Sequence, residues 1–388
     1  MGRYFKRLGD SFRKGDMILL LLCLVTTAFG CLIVASTTNY TGSLRQLVVQ
    51  IVAAFLGVLM YMVTSSVDAE FFSEHRTALV IFNTFLLLLL IPFGEDYNSG
   101  NKSWLDIPLL PVAIQPAEIC KITYILIMAS VMASHQNRIS SITSVGHMVL
   151  HLGLLVGLNM VLSRDAGVSL IFVFIFVGMA FAGGVNMLWF AIAAGGIVLA
   201  WPILWQFMDN HQRQRIQVLY DPTIDPAGTG VRWHQKESLR SLTAGGWTGQ
   251  GLFEGHRTQN GDLQAQHTDF IFSAIGEELG FVGCALVLIL LIAIIARCIW
   301  VGNRSQDYMR RLICYGAAAA LIFQVVSNVG MCLGVTPVIG LTLPFISYGG
   351  TSILSLYAML GLVSGVYARP AATSRERYIR PPISSYKI

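Results

Sequence analysis

The sequence predicts an all-α polytopic membrane protein with about ten transmembrane helices. Three observations predict it. Of its 388 residues 54% are hydrophobic and only 12% are charged, against roughly a quarter charged in a soluble domain. The mean hydropathy is +0.63. Apolar runs of spanning length, roughly 17–25 residues, recur along the chain.

These runs begin near Met17, Gln46, Thr77, Leu109, Ser144, Ala166, Val185, Asp269, Arg311 and Phe345. No small-residue cleavage site follows the first, so it is read as a retained anchor. Basic residues set the orientation. Arg3, Lys6, Arg7, Arg13 and Lys14 precede the first helix; Arg297, Arg304, Arg310 and Arg311 lie between the eighth and ninth; Arg369, Arg375, Arg377, Arg380 and Lys387 follow the last. With an even number of helices all three groups share one side, expected to be the cytoplasm. The chain then reads as one transmembrane domain over 1–388, with cytoplasmic tails at 1–16 and 369–388 and a large extracytoplasmic loop at 207–268 between helices seven and eight. The seven cysteines stand in or beside apolar runs without metal spacing and read as packing residues. The net charge of +5 gives no reason to expect nucleic acid as a partner.

The long loop is not low-complexity. It holds Trp233, Trp247, the Gly-rich "AGGWTGQGLFEG", and "HQKESLRSL", which reads as a short amphipathic helix. A loop this long is functional or disordered, and its composition favours a folded one. Arg213, Arg215, Arg232, Lys236, Arg240 and Arg257 lie in it. Most read as solvated charges, although several arginines above a membrane also suit phosphate.

The polar residues at the edges of apolar runs need a reason, because charge near lipid is costly. Asp269 stands at the mouth of helix eight in "QAQHTDFIFSAIGEELG", with Glu277 and Glu278 further in. One reading is a helix cap. The other is a base whose pKa is raised by its surroundings, with His267 and Thr268 placed to orient it or its substrate. Asp165 in "SRDAGVSL" reads as a cap. Glu118 and Lys121 share a helix face at i, i+3 after Pro116. They read either as a buried ion pair or as a site where Lys121 holds an anionic head group. "NVGMCLGVTPVIGLTLPFISYGGTS", which contains Ser347, alternates Pro and Gly with short apolar pieces, as a broken or re-entrant segment would. No P-loop, zincin or serine-nucleophile motif is present. These residues describe a site for an anionic, amphipathic ligand at one membrane face and leave transport and reaction both open.

"QHTDFIFSAIGEELGFVG" and "PVIGLTLPFISYGGTS" resemble the SEDS family of bacterial shape, elongation, division and sporulation proteins, and the resemblance runs over nearly the whole chain. Gln115, Pro116, Glu118 and Lys121 match its Q-P-S-E-x-x-K pattern, with Ala117 in place of Ser; "RIQVLYDPTIDPAGTG" matches the start of its outer loop, including Arg215. The resemblance implies a peptidoglycan glycosyltransferase of the bacterial plasma membrane. Such an enzyme polymerises lipid II and works beside a class B penicillin-binding protein and other elongation or division proteins. The family's essential aspartate matches Asp269, similar to a general base on the acceptor sugar hydroxyl, with undecaprenyl pyrophosphate leaving. Arg215 and Lys121 would meet the pyrophosphate, and Glu118, His267 and Ser347 complete the expected substrate-binding set. A divalent cation, Mg or Mn, could assist the leaving group, but no dedicated cage is visible. The chain departs from the family at Glu237-Ser238 (Gln-Ser), at Leu263-Gln264-Ala265 (Leu-Pro-Glu) and at Arg164-Asp165-Ala166-Gly167 (Pro-Asp-Leu-Gly). The elongation branch, RodA-like, is favoured over division. The competing expectations are a lipid II flippase and a non-catalytic scaffold.

Overall fold

The computed structural model describes residues 14–95, 101–106, 113–208, 210–225, 230 and 232–369. The basic residues expected in the tails, apart from Lys14 and Arg369, lie outside these residues, as does part of "DPAGTG". The chain is helical almost throughout. Helices α1 (Met17–Thr38) and α2 (Arg45–Ser66) are followed by short α3 (Ala69–Glu74), α4 (Arg76–Leu88) and α5 (Leu90–Phe93). A two-residue hairpin pairs β1 (Gly94–Glu95) with β2 (Trp104–Leu105), antiparallel. Next come α6 (Pro116–Ser134), α7 (Ile142–Leu162), α8 (Ala166–Ala182) and α9 (Met187–Phe207). The long polar segment holds α10 (Asn210–Gln217), α11 (Trp233–Gly245) and α12 (His256–Asn260). The chain then closes with α13 (Ile271–Arg304), α14 (Tyr308–Cys332) and α15 (Gly350–Ala368).

Among the described residues eight helices are long and apolar enough to cross a membrane, and two shorter apolar helices, Ala166–Ala182 and Met187–Ile203, lie between the fifth and sixth of them. The expected start at Leu109 moves to Pro116; residues 107–112 lie outside the described set. Proline suits the first helical turn because its missing N–H would have no partner there. The expected start at Phe345 is corrected to Gly350. Phe345 itself has a left-handed backbone (φ 63°) and lies within an irregular stretch rather than opening a helix. The "HQKESLRSL" helix is present as α11.

The ends of the helices sort into two sets. At one end Asp16, which caps α1, binds Arg297 of α13 (2.8 Å), Arg310 of α14 reaches Asp68 (3.2 Å), and Arg310 donates to the carbonyl of Arg369 (2.7 Å). At the other end Ser36 meets Glu278, Gln50 meets Ser347, and Arg215 meets Val338. Between the two ends α2 lies along α15, and α14 packs on α8 and α13. Helix α9 stands to the side, with Pro202 inside it and none of its described side chains fully buried.

Helix α13 is interrupted. Gly280 has φ 64° and ψ −161°, outside the helical region, and near lipid the backbone groups so released must find partners inside the protein. The Gly-rich stretch supplies them. Gln250 and Gly251 donate to the carbonyls of Glu277 and Glu278 (both 3.0 Å), while Phe281 and Val282 donate to the carbonyls of Gly246 and Trp247 (2.9 and 3.2 Å). So close an approach excludes side chains: a β-carbon on Gly245 would lie 1.8 Å from the carbonyl oxygen of Gly276. Gly245→Ala should therefore push α11 off α13 and destabilise the folded protein by about 1–3 kcal/mol, the usual penalty for forced overpacking. Thermal unfolding in detergent measures it, with Ala244→Gly, one residue away, as the control substitution.

Candidate functional site

Two irregular segments meet at the second end of the bundle. One is the approach to α13, residues 261–270. The other joins α14 to α15, residues 333–349. They are laced together: Tyr348 donates to the carbonyl of His267 (2.8 Å), and the Ser347 hydroxyl donates to that of Thr268 (2.6 Å) while accepting from the Leu343 N–H (2.8 Å). Gln50, fully buried in α2, clamps the second segment with both ends of its amide, donating to the Ser347 carbonyl (3.0 Å) and accepting from the Gly349 N–H (3.2 Å). Asn328 of α14 donates to the carbonyls of Asp269 (2.8 Å) and Leu341 (2.7 Å). Ser347 is thus buried and engaged on both sides, and its hydroxyl shapes the loop that carries Asp269.

Asp269 does not cap α13. The N-cap is Phe270, and the Asp269 carboxylate accepts no hydrogen bond from the described residues. It lies against Gly340, its Oδ2 3.6 Å from where a β-carbon on that glycine would stand. Burial pushes its pKa up to about 6; Asp165 adds to the rise, and Arg215 opposes it. Asp165 behaves differently. It caps α8, accepting from the Val168 N–H (3.0 Å) and from Ser103 (3.3 Å), as its sequence position predicts. Burial raises its pKa too, and Glu118 contributes in the same sense.

Arg215, at the last turn of α10, donates through Nη1 to the carbonyl of Val338 (3.0 Å), two residues from Gly340. Burial lowers its pKa and Asp269 raises it, so the guanidinium and the Asp269 carboxylate share one neighbourhood. His267 is half-buried with Nδ1 shielded and unpartnered, and burial lowers its pKa. The backbone is strained around this place: Arg164, Ala265 and Phe345 hold φ of 56°, 55° and 63°, a conformation costing a non-glycine residue roughly 1–2 kcal/mol. Such outliers gather where a site over-determines the chain.

Glu118 and Lys121 form a buried ion pair (2.8 Å), each side chain at most 6% exposed, and Glu118 also accepts from Ser355 of α15 (2.6 Å). The pair joins α6 to α15 and lies against the site through the field of Glu118 on Asp165 rather than through an open ammonium. Glu277 and Glu278 are fully committed. Glu277 accepts from the backbone of Arg257 and Thr258 (2.7 and 3.1 Å), and Glu278 from Ser36 and Gln259 (2.7 and 2.9 Å). Glu237, the departure from Gln, binds Arg240 (2.6 Å) and Arg257, tying α11 to α12. All seven cysteines are free thiols, six of them buried. Among the described residues no group of three or more His, Cys, Asp or Glu is placed to hold a metal ion.

Three contributors escaped sequence reasoning: Gln50, Asn328 and His234. The first two carried a signal, being polar residues inside apolar runs. His234 carried none, because its contact with Phe270 is tertiary.

A family model described as a cell cycle protein, FtsW/RodA/SpoVE, matches residues 16–370. The chain belongs to this family. Peptidoglycan glycosyltransferase MrdB of Escherichia coli K12 is 30% identical over 362 residues, covering 93% of this chain and 95% of the relative. A probable peptidoglycan glycosyltransferase FtsW of Trichlorobacter lovleyi is 30% identical over 367 residues, covering 92% and 94%. Among solved structures, one described as the structural coordination of polymerization and crosslinking by a peptidoglycan synthase complex matches with a TM-score of 0.75 and 29% identity, covering 94% of this chain and 99% of that one. The rod shape determining protein RodA of Thermus thermophilus matches with a TM-score of 0.69 and 26% identity, covering 92% and 98%. The family is thus the one that the H-T-D and P-F-I-S-Y-G-G motifs resemble. Similarity to both MrdB and FtsW leaves the branch within it undivided.

The buried pair separates structure from binding. Glu118→Gln or Lys121→Met alone strands a charge and should destabilise the protein by about 3–5 kcal/mol, whereas the double variant should regain most of that loss. Thermal unfolding of the three variants measures this, and activity of the folded double variant then reports whether Lys121 also serves substrate.

Proposed function

We propose that this chain is a peptidoglycan glycosyltransferase of the bacterial cell membrane, polymerising lipid II with Asp269 as general base. Its family and its full-length relatives named peptidoglycan glycosyltransferase support the enzyme class. One observation carries the assignment of the base: at the meeting of two irregular segments, Asp269 alone of the site carboxylates holds no hydrogen bond from the described residues, and its pKa is raised to about 6. A base works best with a pKa near the operating pH and an uncommitted lone pair.

In this reading the acceptor's 4-hydroxyl gives its proton to Asp269 as its oxygen attacks the anomeric carbon of the growing chain. The bond from that carbon to the pyrophosphate breaks, and the undecaprenyl pyrophosphate leaves with the electron pair. A pyrophosphate leaves readily, so one carboxylate suffices. Arg215 supplies positive charge where negative charge develops. The site lies on the outer face, where the lipid tail stays in the bilayer and the sugar reaches water. The partner proposed is a class B penicillin-binding protein that cross-links the new strands; a neighbour in fold from a peptidoglycan synthase complex supports that pairing.

The test is glycan polymerisation from purified lipid II, by the chain alone and with its partner. Asp269→Ala and Asp269→Asn should lower the rate by at least about a hundred-fold, the usual contribution of a positioned base. Full activity of a folded Asp269→Ala would overturn the assignment, and polymer absent even with the partner, alongside flipping of lipid II in vesicles, would favour transport. The wild-type rate should rise with pH through about 6 as Asp269 ionises, then level off. Asp165 holds that pKa up, so Asp165→Asn, which can still cap α8, should move the acid limb to lower pH.

A further inference from the structure

His234 is a ring near the site that the reaction above has not used. It lies on α11, its imidazole parallel to the ring of Phe270 (centroids 5.7 Å apart, 11° between planes), and Phe270 follows Asp269 directly. Its neighbour Gln235 donates to the carbonyl of Thr336 (2.8 Å), which pins this turn of α11 to the segment that also carries Val338 and Gly340. Arg215 is close enough for its charge to oppose protonation of the ring. The Nδ1 atom of His234 is shielded from solvent and has no hydrogen-bond partner among the described residues.

Buried polar atoms are nearly always paired, and an exception calls for an explanation. Stacking alone does not supply one, because a phenyl ring would stack on Phe270 without stranding a nitrogen. The unmatched atom belongs to a ring that stacks on the residue following Asp269 and lies within the field of Arg215, the two groups that face the substrate in the reading above. We propose that His234 is a substrate-contacting residue of this site, its neutral Nδ1–H donating to an oxygen of the lipid-linked pyrophosphate sugar. This rests on the reading of the site as a transferase. A neutral donor beside Arg215 has a distinct use. The arginine attracts the anion from any direction, whereas a single directed N–H selects one oxygen and so fixes the orientation of the bound phosphate. His267, two residues before Asp269, likewise has an Nδ1 without a partner among the described residues.

The experiment is steady-state polymerisation of lipid II by the full chain with its penicillin-binding partner, comparing His234→Ala, →Phe, →Asn and →Gln. Phe keeps the ring and loses the donor; Asn places an amide N–H near the Nδ1 position; Gln places it near Nε2. Loss of one hydrogen bond to a charged group corresponds to a fall of about ten-fold or more in kcat/KM. Such a fall is expected for Ala and Phe, with most of the loss recovered by Asn, little by Gln, and the acid limb near pH 6 unmoved. Near-normal activity of the Phe variant, or an Asn variant as impaired as Ala, would reduce His234 to a packing residue and overturn the proposal. Asp269→Asn is assayed alongside. If it polymerises like the wild type, the base assignment fails, while the order of the four His234 variants still decides the contact.

Discussion

The requirement that every backbone polar group near lipid find a partner inside the protein governs this structure. It acts hardest at Gly280, where α13 breaks. The released carbonyls of Glu277 and Glu278 and the N–H groups of Phe281 and Val282 bond to residues 246–251, so the long polar segment is bolted to the helix it precedes. The side chains of the same two glutamates hold α12 and α1. Carboxylates that look misplaced in an apolar run are therefore the fastening of the long polar segment. Because α13 is anchored this way, the residues just before it, His267 to Phe270, have a fixed place from which to present a side chain.

The same requirement shapes the other wall. Residues 333–349 are neither helix nor strand, and such backbone needs outside partners. Gln50, Asn328 and Ser347 serve that need. Once these residues are spent on the backbone, the carboxylates at the site divide by what they already hold. Asp165 is committed to a helix cap and Glu118 to Lys121 and Ser355. The Asp269 carboxylate is committed to none of the described residues, and burial beside a like charge raises its pKa. Availability sets it apart.

The apolar runs were legible because lipid demands length and hydropathy, and the folding of the long polar segment because its Gly-rich stretch and α11 pattern break the monotony of a linker. What was not legible turned on one or two residues. Asp269 read equally as a cap or a base because the helix start cannot be placed to within a residue from sequence, and the observed cap is Phe270. Phe345 read as a helix start because it opens an apolar run, yet its left-handed backbone and the clamp on Ser347 and Gly349 delay the helix to Gly350. The partners of Glu237, the stack of His234 on Phe270 and the filling of the α13 break are contacts across long stretches of chain, and periodicity carries no trace of them.

Which cation would meet the departing pyrophosphate of the proposed reaction can be argued from the same inventory. Lys121 and Glu118 are both almost wholly buried, and each has its partner. Drawing the ammonium toward a phosphate would strand Glu118 beside Asp165, so any gain at the ligand is offset by a second unpaired carboxylate. Arg215 faces no such conflict. Its bond to Val338 uses one of five N–H donors on a planar fork, and no carboxylate among the described residues is salt-bridged to it. Asp269 is the opposing charge that acts on it, and in the proposed reaction Asp269 loses that charge as it takes the acceptor's proton. The attraction between Arg215 and Asp269 thus weakens at the moment the pyrophosphate gains negative charge, leaving the guanidinium's field to the leaving group. Lys121 then acts at a distance, neutralising Glu118 so that α6 can close against α15 beside the site.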